Sequence, residues 1–147
     1  MVRTSDEQAT FDRFSKRYEH VQSDLMQSIE RSVCGCDYGA TSWTTVDEAR
    51  RIEKMLALKP GKRLLDVGSG SGWPGILLAK ETGCDMVMSD LPLTGLQVAM
   101  ARTDVDGIAE ACHATVADGA ALPFQSGSFD AIIHSDVLCC LPDKLGV

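Results

Sequence analysis

The stretch that decides the fold is RLLDVGSGSGWPG, residues 63–75. An apolar run ends in Asp66, glycines follow at alternate positions, and Pro74 then opens an apolar segment with helical character. This order predicts a buried strand, a tight glycine turn, and a helix with Pro74 at its first position. Because glycine has no Cβ, such a turn can expose backbone N–H groups and let a ligand come close. We therefore expect a ligand site at this turn.

The spacing of the glycines and acids indicates which ligand the turn serves. A dinucleotide turn follows G-x-G-x-x-G, which fails at Trp73 when counted from Gly68; counted from Gly70 it fits, two residues into the turn. Asp66 would present a carboxylate to the loop, which suits a ligand with a cationic or amine-bearing end. Asp90 ends the next apolar run, about where an acid meets ribose hydroxyls in βαβ nucleotide sites.

Three motifs resemble those of class I S-adenosylmethionine (SAM)-dependent methyltransferases. The sequence DVGSGSG at 66–72 looks like their first motif and Asp90 like their ribose-binding acid. DGAALPF at 118–124 and SFDAII at 128–133 look like their adenine-side loop and fourth strand. The resemblance covers roughly residues 43–142. It implies an α/β fold: a Rossmann-like parallel sheet with helices on both faces, with four strands in the order 3-2-1-4 out of the family's seven, and thus an apparently C-terminally truncated chain.

The resemblance also implies roles for individual residues near the carboxyl ends of the strands. Asp66 would hold the cofactor's amino group, Asp90 the ribose hydroxyls and Asp118 the adenine amino group. A helix cap or a solvated charge is the alternative for each acid. The implied cofactor-binding residues are Asp66, Gly68, Ser69, Gly70, Gly72, Asp90, Leu91, Asp118, Gly119, Ala120 and Ser135, with Trp43 and Thr44 as pocket residues.

The catalytic residue is left open. Methyl transfer needs a base only when the acceptor must lose a proton. His134 follows the fourth strand and is the candidate base, although a lone histidine at a strand end is more often structural. No metal site is expected, because the C-x-C of Cys34 and Cys36 is not a standard zinc spacing.

Composition and charge limit the kinds of partner and the cellular location that we expect for the chain. The chain of 147 residues carries a net charge of −7, which argues against a nucleic-acid surface. No apolar stretch reaches the length of a membrane span, and the N-terminus lacks the apolar core of a secretory signal. A cytoplasmic location and reduced thiols are therefore expected. Four cysteines beside apolar runs should pack as small hydrophobes: Cys84, Cys112, Cys139 and Cys140.

The first 42 residues are expected to form a helical extension, and 43–147 the SAM-binding domain, incomplete at its C-terminus. Thr4 with Glu7 forms a capping-box pattern, and apolar residues at steps of three and four then predict one amphipathic helix of about 25 residues. This helix would pack on the domain or a dimer partner, or form a lid over the acceptor. Thr45 with Glu48 predicts a second helix start. The fourth strand would be an exposed apolar edge, a second possible homodimer contact.

We expect a SAM-dependent methyltransferase that acts on a small-molecule acceptor of the quinone or natural-product type. Two alternatives stay open. One is a non-catalytic SAM-binding or dimerising fragment. The other is an NAD(P)-dependent oxidoreductase domain, although the chain has no Tyr-x-x-x-Lys pair to carry hydride chemistry.

Overall fold

The computed structural model describes residues 4–140, apart from the side chain of Cys140. An N-terminal helical part precedes alternating strands and helices. The helices are α1 (Ser5–His20), α2 (Asp24–Val33), α3 (Val46–Leu56), α4 (Gly75–Thr82) and α5 (Leu93–Val105). The strands are β1 (Arg63–Val67), β2 (Asp85–Asp90), β3 (Cys112–Val116) and β4 (Ala131–Ile133), and short 3-10 turns lie at Ala109–Ala111, Gly119–Ala121 and Leu138–Cys140.

The four strands form one parallel sheet in the order β3-β2-β1-β4. Asp66 of β1 pairs with Met88 of β2 on one side and with Ile133 of β4 on the other. The central strand β1 is buried from its second residue onward, which explains its continuous apolar run. The predicted α/β class and strand order are confirmed. The fourth strand is shorter than predicted, because only three of its residues join the ladder.

The helices α4 and α5 lie over the sheet face that carries Leu64, Met86 and Met88, all completely buried. Both connections run in one direction along the sheet, and right-handed crossovers then place both helices on the same face. Ile132, on the alternate position of β4, is 59% exposed. A helix over this second face stays a prediction, because the segment 141–147, where the next helix was expected, lies outside the described residues.

The prediction of a single long N-terminal helix was wrong. Ser23 adopts the extended backbone of an N-cap position (φ −69°, ψ 147°), so the chain ends α1, turns, and starts α2 at Asp24. Apolar spacing continues across the break, which hid it in the sequence. As a result α2 presents Leu25 and Val33 to solvent, at 70% and 54% exposure. The boundary at residues 42 and 43 stays a prediction.

Both predicted capping boxes are present. Thr45 Oγ1 accepts from the N–H of Glu48, and the Glu48 carboxylate accepts from the N–H of Thr45 at 2.9 Å. These bonds satisfy donors that a helix start leaves unpaired.

Two smaller details differ from expectation. Pro74 occupies the N-cap position of α4 instead of its first helical position, and Cys139 is exposed and not packed.

Replacing Thr45 by alanine should lower the free energy of unfolding by about 1 kcal/mol, because the first turn of α3 loses its side-chain acceptor. Urea unfolding of both proteins measures this difference. Ser28→Ala, an exposed position inside α2, is the matched control and should change stability by less than about 0.5 kcal/mol. Equal stability of the Thr45 variant and the parent would contradict a contribution from this cap.

Cys34, Cys36, Cys84 and Cys112 are free thiols. Cys84 and Cys112 are buried as predicted, whereas the side chain of Cys140 lies outside the described part of the chain. Between residues 4 and 140, no helix has both the length and the hydrophobicity that crossing a membrane requires.

Candidate functional site

The sheet brings the predicted acids to one rim. Asp66 is the fourth residue of the five in β1, Asp90 ends β2, and Asp118 lies just beyond β3. His134 follows β4 directly. The carboxyl ends of parallel strands lie at the same edge of the sheet, and ligands of such folds bind there.

The glycine loop is held to β2 by its own backbone. The N–H groups of Gly68 and Ser69 both donate to the carbonyl of Ser89, at 2.7 and 3.2 Å. The N–H of Gly70 donates to Asp90 Oδ2 at 2.6 Å, and that of Gly72 donates to the Ser69 carbonyl at 2.7 Å. The expectation of exposed N–H groups is thus wrong at these four positions, because Ser89 and Asp90 of β2 accept three of them and the Ser69 carbonyl accepts that of Gly72.

Asp90 organises the junction of β2 and the loop. Besides Gly70, its Oδ1 accepts from the N–H of Leu91 at 2.7 Å, and the hydroxyl of Tyr18 donates to Oδ2 at 3.4 Å. Burial raises the pKa of Asp90 above its usual value, while the hydrogen bonds from Gly70, Leu91 and Tyr18 oppose this shift.

Asp66 lies deeper than Asp90 and is 1% exposed. Its Oδ2 and the hydroxyl oxygen of Ser69 are buried without a hydrogen-bond partner among the described residues. Burial, and then the negative charge of Asp90, raise the pKa of Asp66 to about 8, against a smaller opposing effect of the Gly75 backbone. A Cβ at position 75 would collide with this carboxyl, so a glycine is required where α4 begins.

The raised pKa of Asp66 predicts how the free protein responds to pH. The folded state retains a proton that the unfolded state releases at about pH 3.8, and it retains this proton up to about pH 8. The contribution of Asp66 to stability therefore falls as pH rises through this window, by at most about 1.4 kcal/mol per pH unit. Asp66→Asn, which cannot ionise, should gain stability relative to the parent between pH 5 and pH 8, as measured by urea unfolding.

Asp130→Asn is the matched control for this pH effect. Its Oδ1 pairs with Lys62 Nζ at 2.7 Å, and this contact lowers the pKa of Asp130. Its contribution is therefore lost on acidification instead of on alkalisation. Parallel pH profiles of the parent and Asp66→Asn would contradict a retained proton on Asp66.

Two side chains outside the sheet cover the glycine loop. A Cβ at Gly70 would lie 2.6 Å from the hydroxyl of Tyr18, and a Cβ at Gly68 would collide with Val137. Sequence reasoning placed Tyr18 on the apolar side of the first helix but not over the loop, and it missed Val137. Tyr18 reaches Asp90 because α1 packs against α5, a tertiary contact that the sequence pattern does not reveal. A ligand that contacts Gly70 and Asp90 must displace the Tyr18 ring or pack against it.

The segment between α2 and α3 is tied to the same loop. Ser71 Oγ donates to the carbonyl of Gly39 at 3.0 Å, and the indole N–H of Trp73 donates to the carbonyl of Thr44 at 2.7 Å. Asp136 Oδ2 accepts from the Trp43 backbone N–H at 3.0 Å. Thr44 thus contacts the loop with its backbone carbonyl. The indole of Trp43 is 67% exposed, and its role as a pocket residue stays a prediction.

The remaining predicted residues lie on the rim. Asp118 Oδ1 accepts from the N–H of Ala120 at 3.0 Å, as the cap of the Gly119–Ala121 turn. His134 is half-buried, and its Nδ1 has no hydrogen-bond partner in the part of the chain that the structure describes. Ser135 follows it and is also half-buried. Within residues 4–140, no group of three or more His, Cys, Asp or Glu side chains could hold a metal ion.

The chain is similar in sequence to known proteins. Residues 64–145 match the family described as "Methyltransferase domain". The chain is 33% identical to 27-O-demethylrifamycin SV methyltransferase of Amycolatopsis mediterranei, over 83% of this chain and 47% of that protein. It is 30% identical to Methyltransferase GfsG of Streptomyces halstedii, over 64% of this chain and 34% of that protein.

The fold has a counterpart among solved structures. A SAM-dependent methyltransferase from Thiobacillus denitrificans, solved in complex with S-adenosyl-L-homocysteine, superimposes with a TM-score of 0.58 at 24% identity. The match covers 65% of this chain and 38% of that one. This chain therefore spans less than half the length of the relatives named here.

The fold defines a Rossmann-like α/β domain, and its predicted ligand edge lies at the carboxyl ends of the strands. The family match covers more than half of the chain. The chain belongs to the class I SAM-dependent methyltransferase family.

Proposed function

We propose that this chain binds SAM at the rim formed by the glycine loop, Asp66 and Asp90, and forms the cofactor half of a methyltransferase for a small-molecule acceptor. The observation that carries the proposal is the pair of acids at the rim. Two buried or partly buried acids face the loop, while the loop's own N–H groups at positions 68, 69, 70 and 72 are already bonded.

This pattern favours a cation-bearing nucleoside over a dinucleotide. A pyrophosphate binds through free backbone N–H groups at a glycine turn and helix N-terminus. Here the carboxyl of Asp66 lies against Gly75 at the start of α4, where a phosphate would have to bind. SAM carries a sulfonium, an amino group and a ribose, and the acids match these groups. The NAD(P) oxidoreductase alternative is therefore disfavoured by the rim itself.

The residues present fit the cofactor. Asp66 Oδ2 and Ser69 Oγ are buried polar atoms without hydrogen-bond partners among the described residues, so the rim retains bonding capacity towards a ligand. Asp66 would attract the amino group, directly or across one water. Asp90 would accept from the ribose hydroxyls, next to Leu91. Asp118 would accept from the adenine amino group through the oxygen that does not cap Ala120.

SAM supplies an activated methyl group, and the chemistry is a displacement at that methyl. The chain's contribution is to hold the cofactor, orient it and keep water away from it. Tyr18 and Val137 already cover the loop and would exclude water there. His134 stays the candidate base, because its Nδ1 at the end of β4 is buried and has no hydrogen-bond partner within residues 4–140. A base is used only if the acceptor loses a proton.

The small-molecule acceptor is supported by two observations. The net charge of −7 is unsuited to a nucleic-acid acceptor. One relative is named for a small molecule, 27-O-demethylrifamycin SV. We also propose a cytoplasmic location and, as partners, the acceptor and a second copy of the chain.

Calorimetric titration tests the cofactor proposal. The purified chain is titrated with SAM, S-adenosylhomocysteine and NAD in turn. We expect SAM and S-adenosylhomocysteine to bind and NAD not to bind. Binding of NAD alone, or no binding by a folded chain, would overturn the proposal. Methyl transfer from radiolabelled SAM to a panel of quinols and phenols then tests whether this chain suffices for turnover.

A further inference from the structure

We propose that Asp66 is a neutral carboxylic acid in the free protein and releases its proton to solvent when the cationic cofactor binds. Cofactor binding would then be coupled to proton release at neutral pH. This inference rests on the proposed function and deepens it, because it says how the buried acid recognises a positive charge.

The first argument is the setting of Asp66 within the sheet. It occupies the central strand, between Met88 of β2 and Ile133 of β4, and is 1% exposed. Its Oδ2 has no hydrogen-bond partner among the described residues. An ionised carboxylate in this position would lose its hydration, and the backbone of Gly75 offsets only a small part of this cost in free energy.

The second argument is the set of charges around Asp66. From β2, the titratable group that acts on it is Asp90, a like charge. From α4, the backbone of Gly75 approaches it, and the first turn of that helix has no charged residue. From β4, Ile133 is its register partner and His134 follows, with an unpartnered Nδ1. Arg63, on the same strand, lies at the opposite end over the ring of Phe129.

Two carboxyl groups without a counter-ion do not both ionise readily. Asp90 receives N–H donors from Gly70 and Leu91, which favour its charged form, so the proton belongs on Asp66. The pKa of Asp66, raised to about 8 by burial and by Asp90, agrees with this assignment.

A bound cofactor changes this balance. Its sulfonium and amino groups place positive charge at the rim, and a positive charge near a buried carboxyl favours ionisation. The O–H bond of Asp66 breaks, the electron pair stays on the carboxylate, and the proton passes to buffer. No bond of the cofactor changes. The site gains a charge-assisted contact with the cofactor. The free protein meanwhile does not carry an unpaired negative charge on Asp66.

The test is calorimetric titration with SAM at pH 7 in buffers of different ionisation enthalpy. The slope of the observed enthalpy against the ionisation enthalpy gives the number of protons exchanged. We expect release of roughly one proton per SAM bound. The dissociation constant should also fall as pH rises from 6 to 8, by up to about tenfold per pH unit after correction for ionisation of free SAM.

Asp66→Asn is the matched variant, since it keeps the shape of the side chain but cannot ionise. It should bind SAM more weakly and lose the proton release. A parent protein that binds SAM with a buffer-independent enthalpy overturns the proton coupling but leaves the proposed function intact. Failure of the folded parent to bind SAM overturns the proposed function instead. If the asparagine variant does not fold, the carboxyl ¹³C shift of Asp66 in the free and SAM-bound parent decides: a shift unchanged by SAM contradicts the proposal.

Discussion

Asp90→Ala is expected to weaken SAM binding by at least roughly 100-fold, because the substitution removes about two charged hydrogen bonds worth about 1.5–3 kcal/mol each. Asp90 offers its two oxygens to the N–H groups of Gly70 and Leu91 and would accept from the ribose hydroxyls. Without it, the Gly70 N–H loses its acceptor and the glycine loop loses one link to β2. Calorimetric titration of the parent and the variant measures the change.

Asp85→Ala is the matched control for Asp90→Ala. Asp85 is an exposed acid at the opposite end of the same strand, so its removal alters net charge equally but leaves the rim intact. Its affinity should stay within about twofold of the parent, as expected for a screened surface charge. Binding by a folded Asp90→Ala protein within threefold of the parent, roughly 0.6 kcal/mol, would contradict the assignment of Asp90.

Gly72→Ala should lower the free energy of unfolding by about 2–4 kcal/mol, through backbone strain and overpacking together. Gly72 has a left-handed backbone (φ +91°), and its Cβ would collide with the side chain of Ile76. Ile76 and Ala99 are completely buried, and Ala99 Cβ would lie 3.2 Å from the new atom. Because Ile76 lies in the core beside Ala99 of α5, relief of the collision requires buried neighbours to shift. Urea unfolding measures the loss.

Gly107→Ala separates the two causes. Gly107 also has a left-handed backbone (φ +71°), but a Cβ there meets nothing within 4 Å. Its loss of stability should be about 1 kcal/mol, the effect of backbone strain alone. If Gly72→Ala destabilised the protein no more than Gly107→Ala, the collision with Ile76 would not contribute.

Local sequence features predicted much of the fold. The capping boxes of α1 and α3 depend on neighbouring residues only, and the structure confirms them. The order of strands and crossover helices follows from the apolar runs and glycine punctuation between them. The break between α1 and α2 was missed, because apolar spacing runs through it while a single residue, Ser23, starts a new helix.

The sequence by itself determined that acids stand at the carboxyl ends of the strands, because strand ends and residue types can be read along the chain. Only the tertiary structure decided how these groups meet. It placed Tyr18 over Gly70, gave the loop's N–H groups to Ser89 and Asp90, and left Asp66 buried beside a second acid. These contacts join residues far apart in the chain. They depend on helix packing and strand register, which local patterns do not encode.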